Sequence, residues 1–171
     1  MRKFTQSLAL AALLLSTSAY AQNVAPAATV AAKAAKVPWL YEGSDVPVDD
    51  TWTFGVLPNG LRYAVKKNDV PAGQVSIRVR IDAGALHENN DEQGFAHLIE
   101  HLSFRGSTFV PDGEAKRIWQ RFGVTFGSDS NAQTTPTQTV YKLDLPNATP
   151  EKLDESVKII SGMIRNPRIS P

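Results

Sequence analysis

The chain has 171 residues with 18 Lys and Arg against 17 Asp and Glu, a formal net charge of +1. So balanced a charge excludes a nucleic-acid-binding surface carried by bulk electrostatics and any general pull toward anionic lipid. There is no cysteine, so no disulfide holds the fold and stability rests on core packing or a bound metal.

Met1-Arg-Lys is followed by the apolar run Leu8–Leu15 and by Ala19-Tyr20-Ala21. A basic start, a short apolar stretch and an A-x-A end read as a secretory signal peptide over residues 1–21. The run is too short to span a bilayer, so no stable membrane insertion is expected. Loss of Arg2 and Lys3 with the leader brings the net charge to about −1. The protein is expected to be exported, with a bacterial periplasm as the compatible compartment. Residues 22–50, rich in Ala with Pro26 and Pro38, read as a flexible tether to a folded part at 51–171.

Phe54–Leu57 and Leu61–Val65 flank Pro58-Asn59-Gly60, which predicts a hairpin. Val75, Ile77, Val79 and Ile81 alternate with Ser76, Arg78, Arg80 and Asp82, a strand with one buried face. His87 lies in a polar loop with no partner at ligand spacing. A helix is expected over about 91–104, with Asp91 and Glu92 suiting its first turn. At about 100° per residue, Phe95, Leu98, Ile99 and Leu102 share one stripe and His97, Glu100 and His101 the opposite face. The stripe is expected to be buried and the trio presented outward. A helix over 112–122, a strand at Val124–Phe126 and a strand over 137–145 follow. In the last, Thr139, Tyr141, Leu143 and Leu145 share a face. Thr149-Pro150 then caps a helix that ends at Asn166-Pro167, with Leu153, Val157, Ile160 and Ile164 as its buried stripe. Strands followed by interleaved helices and strands predict an α+β fold, helices packed on one face of an antiparallel or mixed sheet.

His97, Glu100 and His101 form H-x-x-E-H, and they include two of the three histidines of the chain. Two imidazoles one helical turn apart can reach one divalent metal together. A carboxylate beside them can handle a proton on water that the metal activates. The pattern fixes only three positions, and two surface histidines with a solvated glutamate would carry the same letters. If the metal is Zn2+, His97 and His101 are its ligands and Glu100 the general base.

Gly94-Phe-Ala-His97-Leu-Ile-Glu100-His101-Leu-Ser-Phe104-Arg-Gly106-Ser107 resembles the signature of the pitrilysin or insulysin-type zinc metallopeptidases, the inverzincins. Asn59-Gly60-Leu61-Arg62-Tyr63 is similar to the family's first hairpin. Ala83-Gly84 with Glu88 resembles the segment that leads into the motif helix. Asn131-Ala132-Gln-Thr134, followed by Thr139-Val140-Tyr141, resembles the family's N-A-x-T…T-x-Y stretch. The resemblance implies a zinc-dependent metalloendopeptidase, with His97 and His101 as ligands and Glu100 as base. Asn131 and Ala132 then lie where an extended peptide adds beside an edge strand; Asn131 can also be read as a strand-end turn residue. The resemblance further implies a third ligand, a glutamate on a later helix whose place falls at or beyond Pro171, and a second peptidase-like half. Glu151 and Glu155 lie on the helix before the expected one. The domain is therefore expected to be incomplete at its C-terminus, with little activity from this region alone. A non-catalytic scaffold or partner subunit of the same fold is the alternative.

Overall fold

The computed structural model describes residues 38–169; the expected signal peptide lies outside them. The chain divides into two units. The smaller holds Phe54–Ala64 and the segment that ends at Asp50, the larger Thr51–Thr53 and the chain from Val65 onward.

Strands β1 (Trp52–Val56) and β2 (Arg62–Lys66) pair as the expected hairpin. Its turn closes through Leu57 N–H to the Leu61 carbonyl at 2.8 Å. In the smaller unit Phe54 packs edge-on against Trp39 at 5.0 Å, and the Arg62 guanidinium lies 3.9 Å from the centre of the Trp39 ring.

The larger unit is built on a three-stranded antiparallel sheet in the order β3 (Val75–Ile81), β5 (Thr139–Leu145), β4 (Ser130–Thr134). Val75 pairs with Leu145 and Ile81 with Thr139; on the other side Ser130 pairs with Leu143 and Thr134 with Thr139. Three helices follow the expected order: α1 (Phe95–Ser103), α2 (Glu114–Arg121) and α3 (Pro150–Arg165). As the alternation requires, Thr139, Tyr141, Leu143 and Leu145 are all buried on one face of β5. Ile118 and Trp119 of α2 and Ile159, Ile160 and Met163 of α3 join Leu143 and Leu145 in the core. Each fully buried side chain of this size contributes about 1.5–3 kcal/mol. The opposite face of the sheet is polar, with Asp144 bonded by Ser76, Arg78 and Lys142. The architecture is α+β, with helices on one face of an antiparallel sheet.

Several local expectations are corrected. Val124–Phe126 is not a strand. Asp129 Oδ2 accepts the Thr125 N–H at 2.8 Å and bends the chain into a turn, leaving Phe126 only an isolated bridge to Ser130. The strand in this region is β4, whose Ser-Asn-Ala-Gln-Thr has no apolar alternation to announce it. In α3 the Thr149 hydroxyl caps the Lys152 N–H as expected. The buried stripe is rotated, however: Ser156, Ile159, Gly162 and Met163 are buried with Ile160, and Val157 is exposed. Gly162 reads as neutral in a periodicity, yet it lets the helix approach closely, since a Cβ there would collide with Phe109 and Ser107.

Candidate metal centre

Helix α1 starts later than expected, at Phe95, because Gly94 takes the left-handed conformation (φ +93°) and supplies no side-chain cap. The expectation for its faces is met in part: His97 and His101 are exposed as expected and Leu102 is half-buried, but Glu100 and the rest of the stripe are not placed as expected. Glu100 and Ser103 are buried, while Phe95, Leu98 and Ile99 are 53%, 51% and 48% exposed. The periodicity correctly groups the stripe on one face. What turns Glu100 and Ser103 toward β4 and β5 is polar pairing, which periodicity does not report.

The pairing is specific. Thr134 Oγ1 on β4 donates to Glu100 Oε2 at 2.7 Å, and Thr139 Oγ1 lies 3.3 Å from Thr134 Oγ1 while donating to the Ala83 carbonyl at 3.0 Å. One turn further on, Ser103 Oγ donates to the Ile99 carbonyl at 2.8 Å. Its only proton is thereby used, so the Tyr141 hydroxyl, 3.1 Å away, is the donor to Ser103. Burial pushes the Tyr141 hydroxyl above its ordinary range, and the Glu100 charge adds to this. Glu100 is thus a buried carboxyl group whose Oε2 is hydrogen-bonded in a polar niche.

His97 and His101 are exposed on the same helix, and their Nε2 atoms are 3.0 Å apart. That separation leaves both nitrogens within reach of one common point, where a single ion could sit. Zinc–imidazole bonds of about 2.0–2.1 Å at tetrahedral angles place two nitrogens roughly 3.3 Å apart. The pair therefore fits two positions of a zinc site. Among the described residues no group of three His, Cys, Asp or Glu side chains gathers to complete one. Glu100 is held by Thr134 rather than aimed at that point, and Glu151 and Glu155 lie exposed on α3. His87 sits in a short 3-10 turn (Ala85–His87), where its Nδ1 accepts the Gly84 N–H at 3.2 Å.

Asn131 and Ala132 lie on β4, which is an edge of the three-stranded sheet. Bonds from Asp144 N–H to the Asp129 carbonyl and from Thr135 N–H to the Gln138 carbonyl set the alternation of the β4–β5 ladder. Ala132 opposite Tyr141 is then a non-hydrogen-bonded pair, and its amide points away from β5 to the open edge. There it is met by Asn131 Oδ1 at 2.9 Å, while Asn131 Nδ2 donates to the Gly127 carbonyl. A cleft of about 320 Å³ lies between this strand and the helix, lined by Glu88, Gly94, His97, Thr134 and Thr135.

Four of the residues that hold this arrangement, Thr134, Ser103, Tyr141 and Glu88, have no assigned role in the sequence reading. Each carried the same kind of signal, its place in a stretch that resembles the family, but the contact each makes is set only in the fold.

An α+β sheet carrying H-x-x-E-H on a helix beside an edge strand is the inverzincin class of domain. The chain belongs to the insulinase family (peptidase family M16), whose pattern matches residues 63–171. A probable zinc protease PqqL of Haemophilus influenzae is 37% identical over 127 residues, covering 74% of this chain and 14% of that protein. The crystal structure of the first half of the periplasmic protease PqqL from Escherichia coli superposes with a TM-score of 0.70 at 32% identity. It covers 73% of this chain and 27% of that one. Pitrilysin shares the fold at a TM-score of 0.58 and 23% identity, over 71% of this chain and 12% of that one. The chain thus spans a small part of the length of these relatives. No helix among the described residues is long and apolar enough to cross a membrane.

Proposed function

We propose that this region is the metal-binding part of an exported zinc-dependent endopeptidase, supplying two ligands and the general base for hydrolysis of extended peptides. The observation that carries the reading is the convergence of His97 and His101 Nε2 at 3.0 Å beside a buried Glu100 that Thr134 holds in place. His97 and His101 would hold the zinc. When bound, zinc acts as a Lewis acid and makes water reactive near neutral pH. Thr134 occupies Glu100 Oε2, leaving Oε1 to take a proton from the attacking water and return it to the departing amine nitrogen. The open edge of β4 at Ala132 suits an extended backbone, because main-chain hydrogen bonds bind a peptide with little regard to its sequence. Asn131 would yield the Ala132 amide to that peptide.

Export is supported by the leader-like first 21 residues and by relatives that include a periplasmic protease. The family's third ligand and a second peptidase-like half would come from beyond the described residues. Residues 22–171 alone should then bind zinc weakly and hydrolyse little. In the full-length protein, Glu100→Gln should lower peptide hydrolysis by about 10²- to 10⁴-fold with zinc retained. Unchanged hydrolysis would sink the catalytic assignment and favour the scaffold reading.

A further inference from the structure

Helix α1 begins with the backbone amides that every helix leaves unpaired at its start. Gly94 gives it no side-chain cap. The acceptors come instead from Glu88, six residues before Gly94 and outside the helix. Its Oε2 takes the Gly94 N–H and its Oε1 the Ala96 N–H, each at 2.7 Å. One oxygen per amide makes a bidentate, charge-assisted clamp, and a negative charge there also complements the positive end of the helix dipole. The Ala96 amide, and after it that of Gly94, holds the Glu88 carboxyl below the ordinary carboxylate range. Ala96 is the residue immediately before His97.

The segment just before Glu88 is tied to the β4–β5 turn. The Leu86 N–H donates to the Pro136 carbonyl at 2.8 Å, and Thr139 Oγ1 donates to the Ala83 carbonyl at 3.0 Å. At Gly84 a Cβ would collide with the Thr135 carbonyl, so the close approach of this segment to the turn requires glycine. One residue before Thr135, Thr134 grips Glu100. The contacts to Glu100 and Ser103 both act on the later turns of α1 and leave its first turn to be fixed separately. The Glu88 grip fixes that first turn.

We infer that Glu88 is a positioning residue of the metal site, a clamp outside the helix that sets the pose of His97 relative to β4. The inference rests on the zinc reading above. Its test uses the full-length protein with Glu88→Ala, Glu88→Gln and, as a control, His97→Ala. Zinc affinity is measured by competition with a chromophoric chelator, and local protection by hydrogen–deuterium exchange. Glu88→Ala should weaken zinc roughly tenfold, with faster exchange in residues 94–101 and unchanged exchange in residues 139–145. Gln offers one carbonyl oxygen where two are needed, so Glu88→Gln should fall between, at about threefold. If the alanine variant does not fold, the glutamine variant decides by itself. Zinc affinity within about twofold of the parent in the folded Glu88 variants, while His97→Ala loses zinc, overturns the inference alone. Unchanged affinity in His97→Ala as well overturns the zinc reading beneath it.

Discussion

Thr134→Val removes one proton from the site and little else. Glu100 is only 6% exposed, and Thr134 Oγ1 is the side-chain donor to its carboxylate at 2.7 Å. The neighbouring Thr139 hydroxyl cannot replace it, because its own proton goes to the Ala83 carbonyl. Valine matches threonine in shape and suits a strand, so the sheet should persist. A hydrogen bond to a charged group is worth about 1.5–3 kcal/mol, and each ~1.4 kcal/mol is a tenfold change in rate. If the bond holds Glu100 in its reactive orientation, kcat for a peptide substrate in the full-length protein should fall about 10- to 100-fold. Zinc affinity should stay at the parent value, because Thr134 bonds neither histidine. Thr134→Ser, which keeps the hydroxyl, should recover most of the rate. The measurements are steady-state hydrolysis of an unstructured peptide and chelator competition on the same preparations. A kcat within about twofold of the parent would refute the reasoning. So would a loss of activity accounted for wholly by lost zinc.

Two further outcomes follow from the geometry. Ala132→Pro deletes the amide that points to the open edge of β4, a position where proline leaves the β4–β5 ladder intact. It should raise KM for extended peptides about tenfold or more with zinc affinity unchanged, since a lost main-chain bond and a displaced strand each weaken binding; an unaltered KM would exclude β4 as the peptide edge. For Asp144, burial pushes the carboxyl upward, but hydrogen bonds from Arg78, Ser76 and Lys142 outweigh it and hold it at about 2, against 3.8 for a free side chain. The stability this confers is complete above the unfolded value and is lost as pH falls toward the folded one. The gap in denaturation midpoint between the parent and Asp144→Asn should therefore narrow between about pH 5 and about pH 2.5. A gap constant across that range would show that Asp144 is not held by its ion pairs.

Much of this protein follows from local rules that its residues obey wherever they are placed. Alternation in Val75–Ile81 and Thr139–Leu145 set two strands and the buried face of the second. Thr149-Pro150 set the start of α3. The four-residue spacing of His97 and His101 brought their Nε2 atoms together, because a helix puts i and i+4 on one side whatever surrounds it. No residue pattern marks strand β4, which only the resemblance pointed to, because Ser130–Thr134 owes its pairing to backbone bonds to β5 and contacts to α1, neither of which leaves an apolar pattern. The direction in which α1 faces was likewise a tertiary decision. Its hydrophobic stripe argued for burial of Phe95, Leu98 and Ile99, yet Thr134 and Tyr141 draw Glu100 and Ser103 inward. A periodicity records which side chains share a face. Which face turns inward depends on partners far away in sequence, and here those partners are the hydroxyls of Thr134 on the edge strand and Tyr141 on the central strand of the sheet.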